Sequence, residues 1–156
     1  MNTIQQDDAG IKVIPPVYFF AAIGLGILIN MIFPLPALSF FIIKAIGAVC
    51  ILVSLLFSFW AISGQKKVQT SLDVRTPTTT IVMKGAYRLS RNPMYLGALV
   101  FIAGIGLAIA NTWILLTVPL LVRILNKYVI EREESYLTNK FGDEYKNYCQ
   151  RVKRWL

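Results

Sequence analysis

Residues 85–97 read Gly-Ala-Tyr-Arg-Leu-Ser-Arg-Asn-Pro-Met-Tyr-Leu-Gly and lead into an apolar run that ends at Ala110. Pro93 is compatible with the first turn of a helix, because its missing N–H would have no partner there. Asn92, directly before it, is a typical N-cap. Basic side chains precede the apolar run at Lys84, Arg88 and Arg91. This stretch, the entrance segment, predicts the start of a membrane helix. From charge and proline alone, a basic flank that only orients the helix is an equally good interpretation.

The composition indicates an integral membrane protein. The chain has 156 residues, enough for one domain, and 56% of them are hydrophobic. These residues are grouped in blocks instead of being spread at amphipathic spacing, which predicts membrane helices. The net charge of +8 therefore indicates membrane lipids and not nucleic acid as partner, because basic residues beside membrane helices set topology and attract anionic headgroups.

The chain is poor in the residues that most often act as metal ligands, general bases or disulfide partners. The chain has no His and only two cysteines, Cys50 and Cys149, without metal-site or disulfide spacing. No metal site is expected, and the commonest general base is absent. Asp7 and Asp8 precede the first apolar run, where a signal peptide would carry basic residues, so a cleaved signal peptide is not expected.

Four apolar runs predict four membrane helices in one all-α domain, 1–156. The runs cover residues 17–33, 40–62, 95–110 and 113–122. Asn111 and Thr112 form a tight turn, so the third and fourth helices should be an antiparallel hairpin. The polar connection 63–83 is too long for a simple turn and is expected to fold over another part of the protein. Spans 1 and 2 form the N-terminal part, 1–62, and the rest of the domain is 63–156.

The fourth helix is expected to continue beyond the membrane. Good helix formers extend to Phe141, and Gly142 is suited to end the helix. A last helix from Asp143 is amphipathic and basic and carries Tyr145 and Tyr148, so we expect it on the membrane surface.

Basic residues predict the topology. They are concentrated between spans two and three and after span four, whereas the turn at 111–112 has none. Because Lys and Arg mark cytoplasmic segments, both basic segments should face the cytoplasm. The first contains Lys66, Lys67, Arg75, Lys84, Arg88 and Arg91, and the second contains Lys127, Arg132, Lys140, Lys146, Arg151, Lys153 and Arg154.

The predicted hairpin brings three features to one membrane face. They are the entrance segment, the glycines Gly104 and Gly106, and the charged group Arg132, Glu133 and Glu134. Taken singly, the glycines are better explained by close helix packing, and the glutamates could be a solvated helix face. Together they predict a pocket with a floor of small residues, aromatic walls and carboxylates. Such a pocket suits a ligand with a nucleobase, a ribose and a cationic centre.

Two separated motifs resemble those of the isoprenylcysteine carboxyl methyltransferases and the related phospholipid methyltransferases. The first is Gly85, Tyr87, Arg91, Asn92, Pro93, Tyr95 and Gly97. The second is Glu133, Glu134, Leu137, Phe141, Gly142, Tyr145 and Tyr148. The resemblance covers residues 77–154. It implies that S-adenosyl-L-methionine binds at the cytoplasmic rim, while a lipophilic acceptor enters from the bilayer.

The resemblance also assigns residues. It implies cofactor contacts by Tyr87, Arg91, Asn92, Pro93, Tyr95, Leu96, Gly97, Gly104, Gly106, Glu133 and Glu134. We assign catalytic roles to Arg91, Arg132, Glu133 and Glu134. Many members have His where this chain has Asn92, which cannot be a base near neutral pH, so a His base is excluded here.

The acceptor remains open between two chemistries. A carboxylate of isoprenylcysteine type needs no base but needs a cation to hold it, and it is favoured slightly because the chain lacks His. The alternative is the amine of a phosphatidylethanolamine-type headgroup. A sterol-reductase-like protein that binds a nicotinamide cofactor, or a membrane protein that is not an enzyme, fits the two motifs less well.

Overall fold

The structure is a computed structural model that describes residues 9–11, 13–36, 40–67 and 77–156. These ranges contain helices and loops but no strand. The helices are α1 (Pro15–Ile32), α2 (Phe41–Lys67), α3 (Pro93–Ala108), α4 (Thr112–Leu125), α5 (Glu131–Phe141) and α6 (Asp143–Arg151). A 3-10 turn covers Gly85–Arg88, and a π-helical turn covers Asn126–Ile130. Asp7, Asp8 and residues 68–76 of the connection 63–83, which include Arg75, lie outside the described residues.

Three helical stretches are long and apolar enough to cross a membrane. They are α1, α2 and the continuous stretch Thr112–Phe141, which joins α4, the π turn and α5. α3 is apolar but has only 16 residues. The all-α membrane fold is therefore supported, whereas the number of four spans and their direction stay predictions.

α3 begins where its sequence signals place it. Asn92 is the N-cap residue and Pro93 follows in the first turn. The Asn92 side chain makes no capping bond, and its Nδ2 donates to the carbonyl of Arg154 at 3.0 Å. The start of α3 is thus tied to a residue 62 positions away.

α2 and α3 approach each other through glycines. A Cβ added at Gly47 would lie 2.5 Å from the backbone N of Ala108, and one at Gly104 would lie 2.9 Å from a side-chain carbon of Ile51. Small residues permit this backbone approach, which is a common way for membrane helices to associate. The interface fixes α3, and with it the entrance segment, against α2.

The π turn is a feature that the sequence analysis did not predict. It interrupts the continuous helix between α4 and α5, and its Val129 and Ile130 are fully buried. π turns within α-helices are frequent at functional sites. Here the turn ends at Ile130, three residues before Glu133, so it helps to set the direction in which Glu133 and Glu134 point.

α6 uses its tyrosines to pack on the protein. Tyr145 and Tyr148 are buried, and the Tyr148 hydroxyl donates to the carbonyl of Tyr87 at 2.7 Å. Gly142, with a φ of 54°, makes the turn from α5 into α6. The apolar side of α6 is therefore covered by protein, and its location at the membrane surface stays a prediction.

Candidate active site

A cavity of about 590 Å³ lies between the start of α1, the loop 78–82, the entrance segment, α5 and α6. This volume is within the ordinary range of small-molecule sites. The loop closes one side, where the backbone N–H of Thr78 donates to the Tyr136 hydroxyl at 3.1 Å. The described end of the long polar connection therefore does fold over another part of the protein.

Six of the sequence-predicted site residues line the cavity together. They are Tyr87, Arg91, Asn92, Tyr95, Glu133 and Glu134. They come from the two motifs, which are separated by α3 and α4 in the chain. The packing of α5 and α6 on the entrance segment brings them to one place.

Glu134 is held by two arginines. Arg154 donates from Nε and Nη2 to its two carboxylate oxygens, at 3.1 and 2.6 Å. Arg91 Nη2 lies 3.0 Å from Glu134 Oε1, and Arg91 Nη1 also donates to the sulfur of Cys149. Charge-assisted and bidentate bonds of this kind are the stronger hydrogen bonds in proteins. They fix the position of Arg91 in the cavity wall.

Glu133 has a different environment. Its Oε1 accepts a hydrogen bond from the Tyr95 hydroxyl at 3.0 Å, and no cation pairs with it among the described residues. The adjacent carboxylates thus point to different partners, as expected for neighbours about 100° apart on a helix. Glu133 keeps acceptor capacity that a ligand in the cavity could use.

The surroundings of the cavity raise the pKa of two tyrosines and of Arg154, by burial for the tyrosines and by a hydrogen bond for the arginine. Burial raises the pKa of Tyr87 and Tyr148 above the usual range, with the charge of Glu133 adding to the effect at Tyr87. Both hydroxyls therefore remain protonated donors near neutral pH. The hydrogen bond to Glu134 raises the pKa of Arg154, so Arg154 stays charged.

Two glycines are not where the sequence analysis put them. Gly104 faces α2, and a Cβ at Gly106 would lie 2.7 Å from the Leu115 side chain of α4. Neither belongs to the cavity wall, so the expectation that they form its floor does not hold. Their role in the structure is close helix packing, because a methyl group at either position would meet a neighbouring helix.

Arg132 is also not part of the cavity wall. It is exposed, and its Nη1 donates to the carbonyl of Gly10 at 2.9 Å. Pro93, Leu96 and Gly97 lie in the first turns of α3 outside the cavity wall, and a Cβ at Gly97 would meet the hydroxyl of Ser58 on α2. These residues can influence the site by positioning α3. No direct ligand contact is supported for Arg132.

Several site residues were missed by the sequence analysis. Gln65 and Ser58 of α2 and Thr78 and Thr80 of the loop line the cavity, and Arg154 holds Glu134. Gln65 follows an apolar run as an isolated amide, which is a weak signal. Arg154 is one of several basic residues near the C-terminus, so no sequence pattern indicates that it pairs with Glu134.

Two polar atoms in the cavity wall lack partners within the described residues. They are the acceptor oxygen Oε1 of Gln65 and the donor nitrogen Nε of Arg91. Buried polar groups are normally hydrogen-bonded, so each such exception needs a physical explanation. A polar ligand in the cavity would supply an acceptor to Arg91 and a donor to Gln65. Metal-binding clusters of His, Cys, Asp and Glu are not found in the described ranges.

Comparison with known proteins identifies the family. A family model described as phospholipid methyltransferase matches residues 42–144. An uncharacterized protein of Haemophilus influenzae is 43% identical over 63 residues, which are 40% of this chain and 100% of that protein. The protein-S-isoprenylcysteine O-methyltransferase of Schizosaccharomyces pombe is 29% identical over 125 residues, which are 80% of this chain and 51% of that enzyme.

The matched region contains most of the cavity. It includes the entrance segment and both glutamates, whereas α1, most of α6 and the segment after it lie outside residues 42–144. The chain spans about half the length of the Schizosaccharomyces pombe enzyme. The resemblance seen in the two motifs is confirmed, and the chain belongs to the phospholipid methyltransferase family.

Proposed function

We propose that the protein transfers a methyl group from S-adenosyl-L-methionine to a lipophilic acceptor in the membrane. The observation that carries the proposal is the cavity, which joins a polar cluster from the two motifs to an apolar wall from α1. Family membership supports the reaction class. The structure supports the division of the site into a polar and an apolar part.

The polar part fits the cofactor. S-adenosyl-L-methionine supplies an electrophilic methyl group attached to a positively charged sulfur. Glu133 offers a carboxylate to a cationic or hydroxyl-bearing ligand, Gln65 Oε1 offers an acceptor, and Arg91 Nε offers a donor. Tyr87 and Tyr95 supply aromatic walls. These groups would bind and orient the cofactor, and alignment is a major source of rate enhancement in transfer reactions.

The apolar part fits a lipophilic acceptor. Ile14, Pro16 and Phe19 at the start of α1 line the cavity together with Met94 of α3 and Leu137 of α5. Pro16 is exposed at the protein surface. Since α1 has the length and hydropathy of a membrane helix, this wall is expected to meet the bilayer and to exclude water from the reacting groups.

We propose a carboxylate of isoprenylcysteine type as the acceptor. A carboxylate needs no base, but it needs a cation that holds it in position. Arg91 is the arginine in the cavity wall, and its Nε is unpaired within the described residues. The similarity to the Schizosaccharomyces pombe enzyme supports this choice.

The alternative acceptor is the amine of a phosphatidylethanolamine-type headgroup. The description of the matching family favours it. Such an amine must lose a proton before it attacks. Glu133, which accepts a hydrogen bond from the Tyr95 hydroxyl, would be the residue that takes this proton.

A methyl-transfer assay with labelled cofactor tests the proposal. The purified protein is offered a prenylated cysteine, a phosphatidylethanolamine and a small thiol in the same detergent. We expect cofactor binding by calorimetry, no NADPH binding, and labelling of the prenylated cysteine. Labelling of the phosphatidylethanolamine alone would select the alternative, and NADPH binding without S-adenosyl-L-methionine binding would refute both.

We also propose that the active site faces the cytoplasm. The Lys and Arg asymmetry supports this orientation. Because Asn111 is buried, single cysteines are placed at its less buried neighbour Thr112 and at Arg75, in a variant without the two native cysteines, to report the sides of the membrane. A membrane-impermeant reagent added to intact cells should label the cysteine at Thr112 and spare the one at Arg75, and the reverse pattern would contradict the orientation.

A further inference from the structure

The segment after α6 lies outside the matched family region. It forms hydrogen bonds with the entrance segment and with Glu134. We call residues 152–155 the strap. The backbone N–H of Arg91 donates to the carbonyl of Lys153 at 3.0 Å, and the Ser90 hydroxyl donates to the carbonyl of Arg154 at 3.1 Å. Asn92 Nδ2 donates to the same Arg154 carbonyl. Three consecutive residues of the entrance segment are therefore bound to two consecutive carbonyls of the strap.

The strap has a second anchor on the π turn. Trp155 Nε1 donates to Asn126 Oδ1 at 3.2 Å, and the indole packs against the buried core around Val129 and Ile130. This anchor holds the strap across the helix that carries the glutamates. The strap thus connects the entrance segment to the start of α5.

Arg154 provides the connection to the site. Its bidentate bond occupies both oxygens of Glu134, while its own side chain lies outside the cavity wall. Glu134 in turn pairs with Arg91, which does line the cavity. A planar guanidinium matches a carboxylate in this two-bond geometry, whereas the ammonium of Lys is a point charge.

From these contacts we infer that Arg154 is a positioning residue, which orients Arg91 in the cofactor cavity by holding the Glu134 carboxylate. This inference rests on the proposed function for the identity of the ligand. It assigns Glu134 to the support of Arg91 and leaves Glu133 as the carboxylate that faces the ligand. The role belongs to a part of the chain that the family match does not cover.

Affinity measurements on Arg154 variants test the inference. Arg154→Ala should weaken S-adenosyl-L-methionine binding about fivefold or more, because a charge-assisted bidentate bond is lost. Arg154→Lys should restore only part of the affinity, since one of the two bonds remains possible. Arg151→Ala is the matched control, because the hydrogen bond of this exposed arginine within the described residues is to the carbonyl of Asn147 in its own helix, and this variant should bind the cofactor like the wild type.

A double-variant cycle separates positioning from general stabilisation. In a Glu134→Gln background, Arg154→Ala should add little to the loss of affinity, because the residue acts through Glu134. Melting curves in the same detergent verify that each variant is folded. Wild-type affinity in Arg154→Ala, or an equal further loss in the Glu134→Gln background, would overturn the inference.

A measurement that needs no cofactor tests the contacts of the strap independently of the proposed function. Trypsin should cleave after Lys153 several times faster in Glu134→Gln than in Glu131→Gln, because Glu134 makes two direct hydrogen bonds to Arg154, whereas Glu131 acts on it through a weaker electrostatic attraction. Equal cleavage rates would overturn the inference. If the wild type fails to bind S-adenosyl-L-methionine while Glu134→Gln still accelerates cleavage, the proposed function fails and the strap remains.

Discussion

The α2–α3 interface and the polar cluster around Glu134 both fix the entrance segment, but they do so by opposite means. At the interface, glycines remove side chains so that backbones meet, and an added Cβ would come within 2.5 Å of the opposite backbone at Gly47. In the cluster, charged side chains reach across to one another at 2.6–3.1 Å. The first region should be sensitive to added atoms, and the second to lost charge.

Adding one methyl group to the interface should give the largest loss of stability. Gly47→Ala would place a carbon 2.5 Å from the N of Ala108, and overpacking of this kind typically costs about 1–3 kcal/mol. The melting temperature in detergent should fall clearly. Gly24→Ala is the control, because nothing lies within 4 Å of its added Cβ. If both variants have the same melting temperature, the α2–α3 interface is less tightly packed than the structure indicates.

Removing the charge of Glu134 should have the largest effect on the site. Glu134→Gln leaves Arg91 and Arg154 without their common carboxylate, and the loss of a charge-assisted bond costs about 1.5–3 kcal/mol. Cofactor affinity or turnover should fall about tenfold or more, while the melting temperature should change less than in Gly47→Ala. Unchanged affinity would show that the arginines do not need Glu134.

Removing the charge of Glu133 tests the other carboxylate in the same way. Glu133→Gln should also lower affinity or turnover about tenfold, because a ligand in the cavity loses its carboxylate partner. Trypsin cleavage in the strap should not accelerate, which separates this variant from Glu134→Gln. Glu131→Gln is the control, because Glu131 is exposed. If Glu131→Gln lowers affinity or turnover while Glu133→Gln and Glu134→Gln do not, the assignment of the site to Glu133 and Glu134 is wrong.

An exposed ion pair near the cluster should contribute least. Lys146 Nζ and Asp143 Oδ1 are 3.0 Å apart, with side chains 60% and 88% exposed. Pairs of this kind contribute about 0–1 kcal/mol, so Lys146→Ala should leave affinity and melting temperature nearly unchanged. If Lys146→Ala lowers the cofactor affinity as much as Glu134→Gln does, the burial of an ion pair does not decide its contribution in this protein.

The helices could be predicted because their signals are local. Apolar blocks predicted α1 to α4, Pro93 and Asn92 predicted the start of α3, and Gly142 predicted the end of α5. The π turn could not be predicted, because tertiary packing of Val129 and Ile130 accompanies it and no breaker residue marks it. The same limit applies to Gly104 and Gly106, whose neighbours on α2 and α4 are known only from the packing.

The sequence by itself determined the membrane character, the two motifs and therefore the family, because hydropathy and residue spacing are properties of the chain. Only the tertiary structure decided which residues meet. Arg154 lies 20 residues from Glu134, and Asn92 lies 62 residues from Arg154. No local pattern relates such positions, since their contact depends on how α5, the turn at Gly142 and α6 direct the strap back to the entrance segment.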